Sequence, residues 1–198
     1  MIFGFYDPEY PKLCLEIALS LTACGKSDCF AVSMFDERVF PYSPPGGIQM
    51  FCNAPKRKML EKAEKYMEQA IQNYPEIDLF VLPEQFYQMD CYEYENEVYG
   101  EHEHGMFEEW LSQCAKKFHA NIIGGSYAVR PEENRKTEEE VLKKVYNRCL
   151  VMNREGESIG YYDKIHLFDA FGVKESDIFI PGNELGLFQL DIGKVGVW

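Results

Sequence analysis

The 198 residues carry 33 acidic against 20 basic side chains, a net charge of −13, with 46% hydrophobic and 15% aromatic composition. That suffices for one globular domain with a real core and is too aromatic for a disordered tail. An acidic surface repels phosphate backbones and anionic headgroups, so neither nucleic acid nor membrane is expected as a partner.

Seven cysteines (Cys14, Cys24, Cys29, Cys52, Cys91, Cys114 and Cys149) are irregularly spaced, and none forms a C-x-x-C pair. A disulfide framework or a zinc knuckle needs regular pairing, so these read as small buried hydrophobes in a reducing, cytoplasmic compartment. Residues 13–23 are apolar apart from Glu16 and small hydroxyls, and Leu21-Thr22-Ala23-Cys24 has the form of a lipoprotein cleavage box. The basic segment that should precede such a box is missing, so a helix ended by Gly25 is expected, with lipid anchoring through Cys24 as the alternative.

Residues 1–44 are poor in charge and end in a Pro/Gly cluster; they read as an N-terminal extension of unknown role, with the domain proper at 45–198. Residues 47–52 (GIQMFC) have the length of a short strand. Asn53 can cap, and Pro55 fits the first turn of, a helix over 56–73. There Met59, Leu60, Ala63, Met67, Ala70 and Ile71 recur at steps of three and four. Pro75 ends that helix, and 78–82 follows as an apolar strand suited to a sheet covered on both faces. A second amphipathic helix is expected over 106–118, with Phe107, Trp110, Leu111, Cys114 and Phe118 on one face, then a strand over 121–129. Residues 131–144 are dense in charge and read as an exposed excursion. Alternating residues at 145–153 and 158–163, around Arg154-Glu155-Gly156-Glu157, read as a hairpin. Residues 187–190 (LFQL) are followed by 193–198 (GKVGVW), of which the last five read as the start of a buried strand. Strands alternating with helices and closing in a hairpin make a layered α/β domain.

Three places can carry chemistry. Glu84 follows Leu82-Pro83 at the end of an apolar strand, where ligands gather in α/β folds. Half-desolvation there is expected to raise its pKa toward that of a usable base. Lys164, in Tyr162-Asp163-Lys164-Ile165-His166-Leu167-Phe168, again follows a strand, where a fixed ammonium can stabilise an oxyanion. The third is the run Ser176-Asp177-Ile178-Phe179-Ile180-Pro181-Gly182, followed by Leu187-Phe188-Gln189-Leu190 and then by Gly193-Lys194-Val195-Gly196-Val197-Trp198.

In that order and spacing these motifs, together with 47–50 and 121–126, resemble the nitrilase superfamily of carbon–nitrogen hydrolases over residues 47–198. The resemblance implies an α-β-β-α sandwich of mixed α/β (α+β) class, incomplete here, and a Glu-Lys-Cys site, commonly with a second Glu. Glu84 matches the base, Lys164 the oxyanion-stabilising lysine, and Glu175 is the candidate second Glu. The nucleophilic cysteine is expected a few residues past Trp198, so this chain by itself would be inactive.

The implied substrate is a small-molecule amide, before a nitrile or carbamoyl compound, with no cofactor or metal, in a homo-oligomer when the protein is full length. A catalytically inactive binding or scaffolding module is the alternative. Cys91, the other thiol near Glu84 in sequence, has acidic neighbours (Asp90, Glu93, Glu95) that would suppress its thiolate. His102-Glu103-His104 lacks the H-E-x-x-H spacing that puts two ligands on one helix face. His166 reads as a packed or hydrogen-bonded structural side chain.

Overall fold

The computed structural model describes residues 54–88, 100–131 and 144–198, together with the backbone of strands β1 (Ile2–Tyr6) and β2 (Leu15–Ala18). The described elements continue with α1 (Lys56–Asn73), β3 (Leu79–Val81), α2 (Met106–Phe118), β4 (Asn121–Ile123), β5 (Tyr127–Val129), β6 (Val145–Met152) and β7 (Ser158–Asp163). After these come β8 (Asp169–Ala170), β9 (Val173–Lys174), β10 (Phe179–Ile180), β11 (Gly186–Leu190) and β12 (Gly193–Val197).

Strand β6 organises one sheet. β10 joins it in parallel at Val145 and Tyr146, and β5 and β4 lie antiparallel along its two halves. β7 returns along it through the expected hairpin, and β3 extends the sheet by pairing in parallel with β4. A second sheet runs β11-β12-β1-β2, all antiparallel.

The alternation of side chains along a strand decides how these layers stack. Leu150 and Met152 of β6, with Ile122 of β4, face the helices and join Met59, Leu60, Ala63 and Met67 of α1 and Phe107, Trp110, Leu111 and Cys114 of α2. The intervening Cys149, Val151 and Ile123 face the other way, onto Leu190, Val195 and Val197 of the β11–β12 sheet. The result is a helical layer, a sheet and a second sheet. Both helices lie where their periodicity places them, and an aromatic stack joins α2 to the turn after Glu84, with Tyr87 and Phe107 parallel at 4.5 Å. Leu111 is wholly buried, so truncating it to alanine would cost about 2–5 kcal/mol.

Three expectations about the elements need correction, and one element was not foreseen. The strand expected over 121–129 is two strands, because Gly124 and Gly125 break it and Gly125 adopts a φ of +67°. The apolar stretch expected to be helical contains β2; an apolar run of that length serves either element, and pairing with β1 satisfies its backbone as strand. Pro55, not Asn53, is the N-cap of α1, and no side-chain hydrogen bond closes that end. The stretch after Lys164 holds the small β8–β9 hairpin, which no periodicity announced. The strand expected at 47–52, most of the charged excursion at 131–144, Cys24 and Cys91 lie outside the described residues. No helix of the described residues is long and apolar enough to cross a membrane.

Candidate active site

Glu84, Lys164 and Glu175, far apart in sequence, converge at the end of the β6-centred sheet. Glu84 leaves the end of β3 and bridges to Ser126 across the break between β4 and β5, where Gln85 N–H donates to Ser126 O at 3.0 Å. Lys164 follows β7 directly, and its N–H donates to Asn147 O at 2.9 Å. Glu175 opens a 3-10 turn after β9 and receives the Phe168 N–H on Oε2 at 2.7 Å.

The Lys164 ammonium lies between the two carboxylates. Its Nζ donates to Glu84 Oε1 at 3.1 Å and stands 3.0 Å from both oxygens of Glu175. The three side chains are 13%, 15% and 20% exposed for Glu84, Lys164 and Glu175 respectively, so the pairings are only weakly screened by solvent. Burial by itself would raise the Glu84 pKa, as the sequence suggested. The Lys164 charge acts the other way, the hydrogen bonds from Lys164 and Asn147 add to it, and the carboxyl is held below its ordinary value. Burial likewise opposes the charge on Lys164, and the two carboxylates reverse that, raising its pKa. Both shifts favour the charged forms of Glu84 and Lys164, which pair across the site.

Two glycines let the chain approach the site closely. A Cβ on Gly125 would sit 2.1 Å from Pro83 O, directly beneath the residue before Glu84. A Cβ on Gly182 would sit 2.2 Å from Asp163 O, beneath the residue before Lys164, whose carbonyl accepts the Gly182 N–H at 3.0 Å. Close approach to backbone, as much as turn conformation, explains glycine at both positions.

Two residues that the sequence reading passed over belong to this cluster. Asn147, 1% exposed in the middle of β6, donates from Nδ2 to Glu84 Oε1 at 2.7 Å. Gln85, with a φ of +54°, donates from Nε2 to Asn147 Oδ1 at 3.2 Å. The signal was an asparagine inside an apolar strand, since a buried amide needs partners and asparagine is otherwise depleted from strands.

Beside them, Arg148 points to the opposite face. It forks onto Asp163 at 2.8 and 2.9 Å, reaches Glu103 Oε1 at 2.6 Å, and stacks 3.6 Å from the Tyr161 ring. This clamp fixes β7 one residue before Lys164 and ties down the segment ahead of α2. Glu103 is thereby used in an ion pair and His104 bonds Glu108. Among the described residues no cluster of three or more His, Cys, Asp or Glu could hold a metal. His166 is exposed rather than packed, because the chain turns outward into the β8–β9 hairpin after Lys164.

Cys149 faces the interior between the two sheets, wholly buried. Burial raises its thiol pKa strongly, and the Glu84 charge adds to the effect. Cys114 lies on the buried face of α2, its thiol pushed up to about 12 by burial and by Glu64. Both shifts disfavour the thiolate, which is the reactive form.

The carbon-nitrogen hydrolase family profile matches residues 47–198. The chain is 32% identical to nitrilase homolog 2 of Dictyostelium discoideum, an alignment covering 81% of this chain and 46% of that protein. It is 31% identical to the omega-amidase NIT3 of Saccharomyces cerevisiae, over 76% of this chain and 52% of that protein. The fold superposes on the crystal structure of S. cerevisiae Nit3, a member of branch 10 of the nitrilase superfamily, with a TM-score of 0.57 and 28% identity. That superposition covers 72% of this chain and 49% of the other. The chain thus spans about half the length of the relatives it matches. With its motifs in family order and its fold superposing on a member's, it belongs to the carbon–nitrogen hydrolases of the nitrilase superfamily.

Proposed function

We propose that the protein to which this chain belongs hydrolyses a non-peptide C–N bond, an amide in first place, with Glu84 as general base, Lys164 as oxyanion stabiliser and Glu175 as the second carboxylate. Residues 45–198 are, in this reading, the N-terminal portion of the hydrolase domain, preceded by an extension at 1–44. The observation that carries the proposal is the single ammonium held between two carboxylates at a strand end. The preference for an amide follows the yeast relative, named an omega-amidase. The substrate is a small molecule, and the working assembly is a homo-oligomer of the whole protein.

The nucleophile is a cysteine thiol supplied by chain following β12. Glu84 takes the S–H proton, and the sulfur attacks the carbonyl carbon, leaving negative charge on the oxygen. Lys164 stabilises that oxygen. The C–N bond then breaks, with the nitrogen taking the proton back from Glu84 and leaving as ammonia or an amine. Water, deprotonated by Glu84, attacks the thioester and releases the acid and the thiol. Glu175 keeps Lys164 charged and directed at the same point throughout.

The test is turnover of a panel of small amides and nitriles by the whole protein and its Glu84→Gln and Lys164→Ala variants. Each substitution is expected to lower kcat/KM by at least about 100-fold. Wild-type turnover in either variant would overturn the assignment.

A further inference from the structure

Asn147 occupies the point on β6 that touches both halves of the ion-pair cluster. Its side-chain N–H reaches Glu84 Oε1 and its main-chain carbonyl takes the Lys164 N–H. Its side-chain oxygen is held by Gln85, the residue next to Glu84 in the chain. An amide has a donor end and an acceptor end; the ionised Glu84 carboxylate can only accept, so it takes the N–H end, and Gln85 supports that orientation by donating to the oxygen. An apolar side chain of similar size would lose both side-chain contacts and keep only the main-chain one.

The backbone supports the same arrangement. Gln85 is held in the left-handed region, uncommon for a residue with a Cβ, while its N–H bonds both the carbonyl and the hydroxyl of Ser126, the latter at 3.2 Å. A strained residue bonded this way is over-determined by its surroundings, a pattern found where geometry is in use. Neighbouring Arg148 anchors Asp163 through its side chain, so two consecutive residues of β6 hold the Lys164 end of β7, one by its main chain and one by its side chain.

We propose that Asn147 is a positioning residue, oriented by Gln85, that sets the Glu84 carboxylate and the Lys164 backbone in one fixed relation. The inference rests on the reading of Glu84 as the base. Asn147 acts by donating to the ionised form of Glu84, and so favours it. Among the described residues, the other titratable groups that act on Glu84 are Lys164, Glu175 through that lysine, Cys149 and Tyr162. Lys164 favours the ionised carboxylate, and burial opposes it.

The test is a carboxyl titration, which needs no turnover. The chain is labelled with carbon-13 at its glutamate side-chain carboxyls and followed by NMR against pH, with the Glu84 signal assigned by its loss in Glu84→Gln. Asn147→Leu is close in size and neutral, and removes the donor. It is expected to move the Glu84 midpoint upward by about one pH unit, a tenfold change in ionisation. Gln85→Met leaves Asn147 in place without its guide and is expected to move the midpoint the same way by less. A folded Asn147→Leu protein whose Glu84 midpoint stays within about 0.2 units of wild type would overturn the proposal. If that variant loses its cooperative melt, an unmoved midpoint in folded Gln85→Met overturns it equally. The base reading fails separately, through retained turnover in Glu84→Gln, and the titration result stands either way.

Discussion

Gly125→Ala is expected to destabilise the chain by about 2–5 kcal/mol, and to do so at the strand end that carries Glu84. Two costs add. The residue sits at φ +67°, where a Cβ costs roughly 1–2 kcal/mol. The new methyl would also lie 2.1 Å from Pro83 O and 2.9 Å from Leu82 O, both backbone atoms that cannot rotate aside. Relieving such overlap by shifting the backbone costs about 1–3 kcal/mol more. Gly172→Ala separates the two contributions, because Gly172 has a φ of +85° with nothing within 4 Å of its would-be Cβ. That variant should lose only the conformational part, about 1–2 kcal/mol. The assay is urea unfolding followed by far-ultraviolet circular dichroism and tryptophan fluorescence, read as a change in midpoint at constant m-value, with coincident probes. A Gly125→Ala loss below about 0.5 kcal/mol, or one no larger than that of Gly172→Ala, would refute the close-approach argument.

The site also fixes how stability responds to pH. The Glu84 pKa is depressed in the folded chain, so its contribution is complete above the unfolded carboxylate value of about 4.3 and is lost as pH falls through the lower folded value. The Lys164 pKa is raised, so its contribution is complete below about 10.4 and is lost as pH rises through the higher folded value. Unfolding free energies measured from pH 3 to 11 should therefore fall at both ends, with a shallower acid limb in Glu84→Gln; an acid limb unchanged by that substitution would contradict the assignment. Iodoacetamide labelling of the native chain, mapped by peptide mass spectrometry, should leave Cys114 and Cys149 unmodified until denaturant is added. Native labelling of Cys149 at the denatured rate would show that the buried position between the sheets is wrong.

The helices were legible because their apolar residues recur at a fixed step. Met59, Leu60, Ala63 and Met67 specify the buried face of α1 wherever it packs, as Phe107, Trp110, Leu111 and Cys114 do for α2. The β6–β7 hairpin was legible for a similar reason, its alternation being interrupted by a four-residue polar turn. The break between β4 and β5 was not. Two glycines in an apolar run are compatible with a continuous strand, and only the close approach of Pro83 shows why the chain bends there. Side-chain chemistry at chain positions 84, 164 and 175 could be singled out from motifs, but whether the three meet depends on contacts spanning up to 80 residues or more.

Sequence alone therefore determined the class of fold, the faces of the helices and the three ionisable residues worth following, because periodicity and short motifs are local properties of the chain. The tertiary structure alone decided the charge state of Glu84. Desolvation, the one effect foreseeable from its place at a strand end, acts upward, while Lys164 and Asn147 act downward from 3.1 and 2.7 Å, and the net shift is downward. Electrostatic balance depends on distances between residues remote in sequence, and those distances come into being only when the sheet is assembled.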